Sequence, residues 1–248
     1  MSRPEPIQQT LEWIERCKNL AKNQAWDIGT YGCDGPWPLI WLRRHRPNSP
    51  LAYLSAGIHG NEPAGVEALL SELENNPPEI QKFSLICCPL INPRACAAGT
   101  RCDINGRDLN RDYKKLHSPI TRAHCNWLHK QQKPLLSLSF HEDWEAAGFY
   151  LYEINTSQRP CIGPQILQAV AAKFRLEDSP VIDGHTASAP GYILHPPEAD
   201  LPEEWPEAIW LVKHAPCLSI TFESPSQSDF QHRVLMHRTA ARQALGSF

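Results

Sequence analysis

Between residues 8 and 23 the apolar positions Leu11, Ile14, Leu20 and Ala21 fall on or near one side of a helical repeat, so the spacing predicts an amphipathic helix. The rhythm then changes. Residues 25–45 read as short strands around a turn at Cys33-Asp34-Gly35-Pro36, and residues 51–56 as a further strand. Pro63 suits the first turn of a helix over 63–74, which Asn75-Asn76-Pro77-Pro78 stops. Residues 83–91 form a continuous apolar run interrupted late by Pro89, the mark of a buried strand. Further strands are expected over 135–140, 148–153 and 217–222, and helices over 119–132, 164–174 and 229–245. Residues 92–113 and 181–206 show no clear period and read as long loops; a loop of that length in a compact domain is usually functional. Strands alternating with helices predict an α/β layered sheet.

Composition narrows the class without naming the chemistry. A length of 248 residues suits a single domain over 1–248, long enough to bury a full core without staples. With 42% hydrophobic and 21% charged residues the chain is an ordinary soluble globular protein. A net charge of −3 without a basic stripe argues against nucleic acid as a partner. No apolar run approaches the roughly 18 residues of a membrane span, and Met1-Ser2-Arg3-Pro4-Glu5-Pro6-Ile7 carries no apolar leader. The expected compartment is the cytoplasm. Nine cysteines without a Cys-x-x-Cys pair are expected to be reduced, with Cys87 and Cys88 acting as small core residues rather than metal ligands.

The chemistry gathers at strand ends, where an open α/β sheet places its sites. Strand 51–56 runs into His59 and Glu62, strand 135–140 into His141, and strand 217–222 into Glu223. An imidazole and a carboxylate three residues apart can close on one Zn²⁺, and a catalytic zinc takes three protein ligands with one open position. His59, Glu62 and His141 complete such a set, leaving Glu223 as a free carboxylate able to take a proton from the attacking water. Taken singly, each of these residues would pass for a loop histidine or a solvated acid.

The loop over 92–113 makes the pattern specific. His59-Gly60-Asn61-Glu62, then Asn92-Pro93-Arg94, then Asp108-Leu109-Asn110-Arg111, then a strand ending in histidine and another ending in glutamate, resembles the zinc metallocarboxypeptidase superfamily over about residues 51–225. The resemblance implies a three-layer α/β/α fold with a mixed, largely parallel central sheet. It implies one Zn²⁺ on His59, Glu62 and His141, and Glu223 as general base and acid. Asn110 and Arg111 would then grip the substrate carboxylate, Arg101 would polarise the scissile carbonyl, and Asp108 would orient His59. Arginine's planar fork suits a carboxylate, and a ligating histidine usually gives its other N–H to one, so residue chemistry agrees.

Other positions are less fixed. Tyr192 is the sole tyrosine between Tyr152 and Glu223 and is the candidate for a substrate-contacting hydroxyl. Glu142 and Asp143 could meet a basic or amide group of substrate, and His185 and His195 could line a pocket. Three functions remain. One is an amide hydrolase that releases a C-terminal residue from a small peptide, such as a cell-wall peptide. Another is an N-acyl amino acid deacylase, resembling succinylglutamate desuccinylase and aspartoacylase; the single helix expected after Glu223, where those relatives carry a β-rich extension, favours the first. The third is a non-catalytic zinc-binding protein on the same scaffold.

Overall fold

The computed structural model describes residues 5–248; residues 1–4, the start of the terminus read above as leaderless, lie outside them. In chain order the elements are α1 (Pro6–Gln24), β1 (Asp27–Asp34), β2 (Trp37–Arg44), β3 (Leu51–Ala56), α2 (Pro63–Asn75), α3 (Pro78–Gln81) and β4 (Ser84–Cys88). Then come α4 (Pro93–Ala98), a 3-10 turn (Leu109–Arg111), α5 (Pro119–Leu128), β5 (Leu136–Asp143), β6 (Tyr150–Asn155), α6 (Gly163–Ala171) and the short strands β7 (Val181–Ile182), β8 (His185–Thr186) and β9 (Tyr192–Leu194). α7 (Glu207–His214), β10 (Leu218–Pro225) and α8 (Phe230–Gly246) close the chain.

Eight strands form one sheet in the order β1-β2-β4-β3-β5-β10-β6-β9. Its centre, β4-β3-β5-β10, is parallel, while β1, β2 and β6 join antiparallel and β9 runs parallel to β6. The expected α/β fold with a mixed, largely parallel sheet is what the chain forms.

Side chains along a strand alternate between faces, and here the alternation separates core from site. On β5, Leu136, Leu138 and Phe140 join Leu218, Ile220 and Phe222 of β10 in the larger core, under α1, α2, α6 and α8. Ser137, Ser139 and His141, with Ser219, Thr221 and Glu223, take the opposite parity. That second face carries α5 and α7, whose Ile120, Cys125, Trp210 and Leu211 pack on Tyr53 and Ile86. One stretch of sheet is therefore apolar on one side and polar on the other.

Several expectations shift. The apolar face of α1 is Trp13, Ile14, Cys17 and Leu20, while Leu11 is exposed. β5 and β10 run on to Asp143 and Pro225, so His141 and Glu223 lie inside strands rather than after them. The run over 83–91 yields only the short β4, ended by Pro89, which cannot donate to a ladder. The two presumed loops contain structure. Asn92 caps α4 by accepting the Ala95 N–H, and 181–206 holds a hairpin and the edge strand β9. All nine cysteines are free, with Cys87 and Cys88 buried.

Candidate metal centre and its cavity

The loop between β3 and α2 brings His59 and Glu62 together. Gly57 turns the chain with φ of 66°, a region glycine enters without penalty. A Cβ on Gly60 would lie 2.0 Å from the Ala95 carbonyl carbon, so α4 can approach the loop only at a glycine. His59 Nδ1 then lies 2.6 Å from Glu62 Oε1, and His141 Nδ1 lies 2.9 Å from Glu62 Oε2. The ligand atoms of these three buried residues are all within 4.8 Å of one another. Parallel pairing of β5 with β10 sets Glu223 beside His141, and Tyr150 of β6 flanks Glu223 on its other side.

A network holds this cluster from behind. Asp108 Oδ1 lies 3.0 Å from His59 Nε2, and Asp108 Oδ2 accepts from Arg101 Nε and Nη2 at 3.1 and 3.0 Å. Arg101 Nη1 also donates to Glu62 Oε1 at 3.2 Å. Burial pushes the Asp108 and Glu62 carboxyls up. His59 and Arg101 around Asp108, and His59 and His141 around Glu62, outweigh burial and hold both well below the usual carboxylate range. Glu223 goes the other way: burial first, then the charges of Glu62, Asp143 and Asp183, raise it well above that range, with Arg101 opposing.

These contacts test whether a metal fits. Asp108 is ionised and can only accept, so His59 must carry its proton on Nε2. Nδ1 faces a carboxylate oxygen 2.6 Å away. Burial lowers the His59 imidazole, but Glu62 and Asp108 outweigh it and raise its pKa, so a positive charge is favoured at this point. A second ring proton or a metal ion supplies that charge, and two imidazoles with a carboxylate are a donor set zinc takes. His59, Glu62 and His141 fit the metal.

The cluster opens on a cavity of about 360 Å³. His59, Glu62, His141, Glu223, Arg101, Asn110 and Arg111 all line it. Asn110 is fixed: its Oδ1 accepts the Glu207 N–H at 2.9 Å, which leaves its amide N–H₂ to donate elsewhere. Arg111 is exposed, bonds only the Asn110 carbonyl at 3.0 Å, and has no carboxylate within ion-pair distance among the described residues. By contrast Arg107, on the same loop, reaches Asp112 at 3.8 Å.

Tyr192 does not reach the cavity. Its ring is buried beneath α6, and its hydroxyl donates to Glu153 Oε2 at 2.7 Å, so the expected substrate contact is corrected to a packing role. Tyr150 and Tyr152 line the cavity instead, with hydroxyls donating to Asp143 and Asp183. Their spacing of two within a strand after the His141 strand was the available signal. Glu142 accepts the Ala64 N–H at 2.6 Å and ion-pairs with Arg233, tying α2 and α8 to β5. Burial raises it to about 7 despite Arg233. Glu207 also escaped the sequence: it is buried at the start of α7, accepts from Tyr53 and Ser55 at 2.6 Å each, and is raised by burial against those bonds. His185 and His195 do line the cavity.

The chain is similar to several known proteins in part of its sequence and in its fold. The succinylglutamate desuccinylase/aspartoacylase catalytic domain matches residues 48–154, a span containing His59 through His141 but not Glu223. Murein peptide amidase A of Escherichia coli is 27% identical over 134 residues, covering 42% of this chain and 54% of that protein. Human cytosolic carboxypeptidase 2 is 30% identical over 120 residues, covering 43% of this chain and 13% of that protein. The chain thus spans about half the length of the first of these relatives and less of the second. A candidate metallopeptidase from Shewanella denitrificans superposes with a TM-score of 0.83 at 21% identity, covering 100% of this chain and 98% of that one. A metallo-carboxypeptidase from Pseudomonas aeruginosa, bound to (2-guanidinoethylmercapto)succinic acid, gives 0.66 at 20% identity over 95% of this chain and 67% of that one. No helix among the described residues is long and apolar enough to cross a membrane.

Proposed function

We propose that this chain, whose residues 48–154 match the succinylglutamate desuccinylase/aspartoacylase catalytic domain, is a zinc-dependent hydrolase of the zinc carboxypeptidase-like superfamily, releasing a residue with a free carboxylate from a small peptide. The observation that carries this reading is the unpaired Arg111 guanidinium beside the fixed Asn110 amide, in the same cavity as the His59–Glu62–His141 cluster. An arginine without a carboxylate partner, next to an oriented amide donor, is built to receive one.

Zinc held by His59, Glu62 and His141 would polarise the scissile carbonyl and acidify a water at its open position. Glu223 takes a proton from the attacking water and later delivers it to the leaving amine. Raised above the usual carboxylate range, its carboxyl can hold the accepted proton until the leaving amine takes it. Arg101 faces the cavity from the Asp108 side and stabilises the oxyanion; one such donor is worth about 3–4 kcal/mol. Asn110 and Arg111 hold the carboxylate of the leaving residue, and Asp108 keeps His59 in the tautomer that leaves Nδ1 free.

The match to the desuccinylase/aspartoacylase catalytic domain supports a second reading, hydrolysis of an N-acyl amino acid. The same amide chemistry and the same carboxylate clamp serve it. Zinc-loaded protein assayed against dipeptides, murein peptides and N-acyl amino acids separates the two. Release of a C-terminal residue from a peptide is the expected result, and turnover of N-acyl amino acids alone would overturn it.

A further inference from the structure

The cavity wall formed by residues 181–206 carries a second group of ligand-type side chains. His185 lies on β8, His195 follows β9, and Asp200 sits in the bend leading towards α7. Their ligand atoms all lie within 4.8 Å of one another. His195 Nδ1 is 2.7 Å from the Pro196 carbonyl oxygen, which can only accept, so Nδ1 carries a proton and Nε2 is the nitrogen left to offer a lone pair to a metal. That Nε2 faces Asp200 Oδ1 at 3.3 Å, and His185 Nε2 faces Asp200 Oδ2 at 3.5 Å. The two rings are 4.9 Å apart at 71°, and Tyr152 packs edge-on against both. Asp200 has no lysine or arginine within ion-pair distance among the described residues.

The arrangement repeats the logic of the first cluster. There a carboxylate fixes one nitrogen of His59 and leaves the other for Glu62. Here a backbone carbonyl fixes one nitrogen of His195 and leaves the other for Asp200. A ligating histidine usually has its second nitrogen tied to an acceptor in this way. We propose that His185, His195 and Asp200 form a second site for a divalent transition-metal ion in the wall of the same cavity. Two imidazoles and one carboxylate suit zinc and its first-row neighbours better than magnesium or calcium, which prefer oxygen ligands. Asp200 is exposed and lies in a bend, so this ion exchanges more readily than one on the three buried ligands of the first cluster. It places positive charge in a wall to which Asp143, Asp183 and Glu204 otherwise contribute acids.

The test is metal uptake, read without any activity assay. Chelator-stripped protein is titrated with Zn²⁺ by calorimetry and with Co²⁺ by visible absorption, as wild type and as His185→Ala, Asp200→Asn and His141→Ala. The wild type takes up a first equivalent and then a weaker second. His185→Ala and Asp200→Asn each keep the first and weaken the second by at least roughly 10–100-fold, the loss that removing a supporting partner alone produces. His141→Ala loses the first and keeps the second. Asp200 is exposed, so Asp200→Asn decides the matter if His185→Ala fails to fold. A single equivalent in the wild type, or a second one unchanged in Asp200→Asn, would overturn the site and mean that Asp200 merely pairs with the imidazoles. Absence of the first equivalent would instead count against the hydrolytic centre.

Discussion

Two walls of one cavity are built differently. The first is made by strands: His141 and Glu223 sit in register on β5 and β10, and His59 and Glu62 follow β3 directly. Its candidate metal ligands are buried, and the Glu62 and Asp108 carboxylates each have several partners. The second is made by the 3-10 turn and the 181–206 segment, where Arg111 and Asp200 are exposed and Arg111 is unpaired. Chemistry needs side chains held to a fraction of an ångström, and strands packed on both faces provide that. Recognition needs groups left open for a ligand, and loops on a rigid scaffold provide those.

Breaking the strand wall should have the largest effect. His141→Ala removes one of the three buried residues proposed to hold the metal, and we expect loss of the first metal equivalent together with all hydrolysis above background, read by metal content and activity on one sample. Breaking the loop wall should be milder and selective. Arg111→Ala should lower kcat/KM by roughly 10–100-fold, the worth of a charged hydrogen bond, with metal content unchanged. A smaller effect sits behind the sheet. His124 is buried, donates from Nε2 to Tyr53 and accepts at Nδ1 from Tyr113, and burial lowers its pKa to about 3. Below its ordinary pKa near 6.5 the unfolded chain binds a proton the folded chain refuses, so stability falls as pH falls through this window. Urea unfolding should show a loss of about 2 kcal/mol between pH 6.5 and 5 that His124→Gln lacks. Smallest of all, Tyr192→Phe should cost about 1 kcal/mol of stability through Glu153 and leave kcat and KM where they were.

The same contrast decides what could be read from the sequence. The strand wall was legible because apolar runs ending in His141 and Glu223 signal a buried strand delivering a polar residue. What could not be read was how far those strands continue, which depends on pairing with neighbours distant in sequence. Glu207 was missed for a similar reason. It is an acid in a Pro-rich stretch until β3 and β5 bring Tyr53, Ser55 and Ser139 to it. Tyr192 looked available because it was alone in its stretch, but β9 pairs with β6 and turns its ring under α6. The Gly- and Pro-rich composition of 181–206 signals irregular backbone correctly and says nothing of which side chains converge there.

We propose that Glu223 moves the proton in a hydrolysis supported by a metal on His59, Glu62 and His141. The most direct test is Glu223→Gln, with zinc content and peptide hydrolysis measured on the same preparation. The variant should keep its zinc and lose about 10²–10⁴-fold in kcat, the usual contribution of a general acid–base group. Zinc retained with hydrolysis undiminished would mean that Glu223 is not the group that moves the proton.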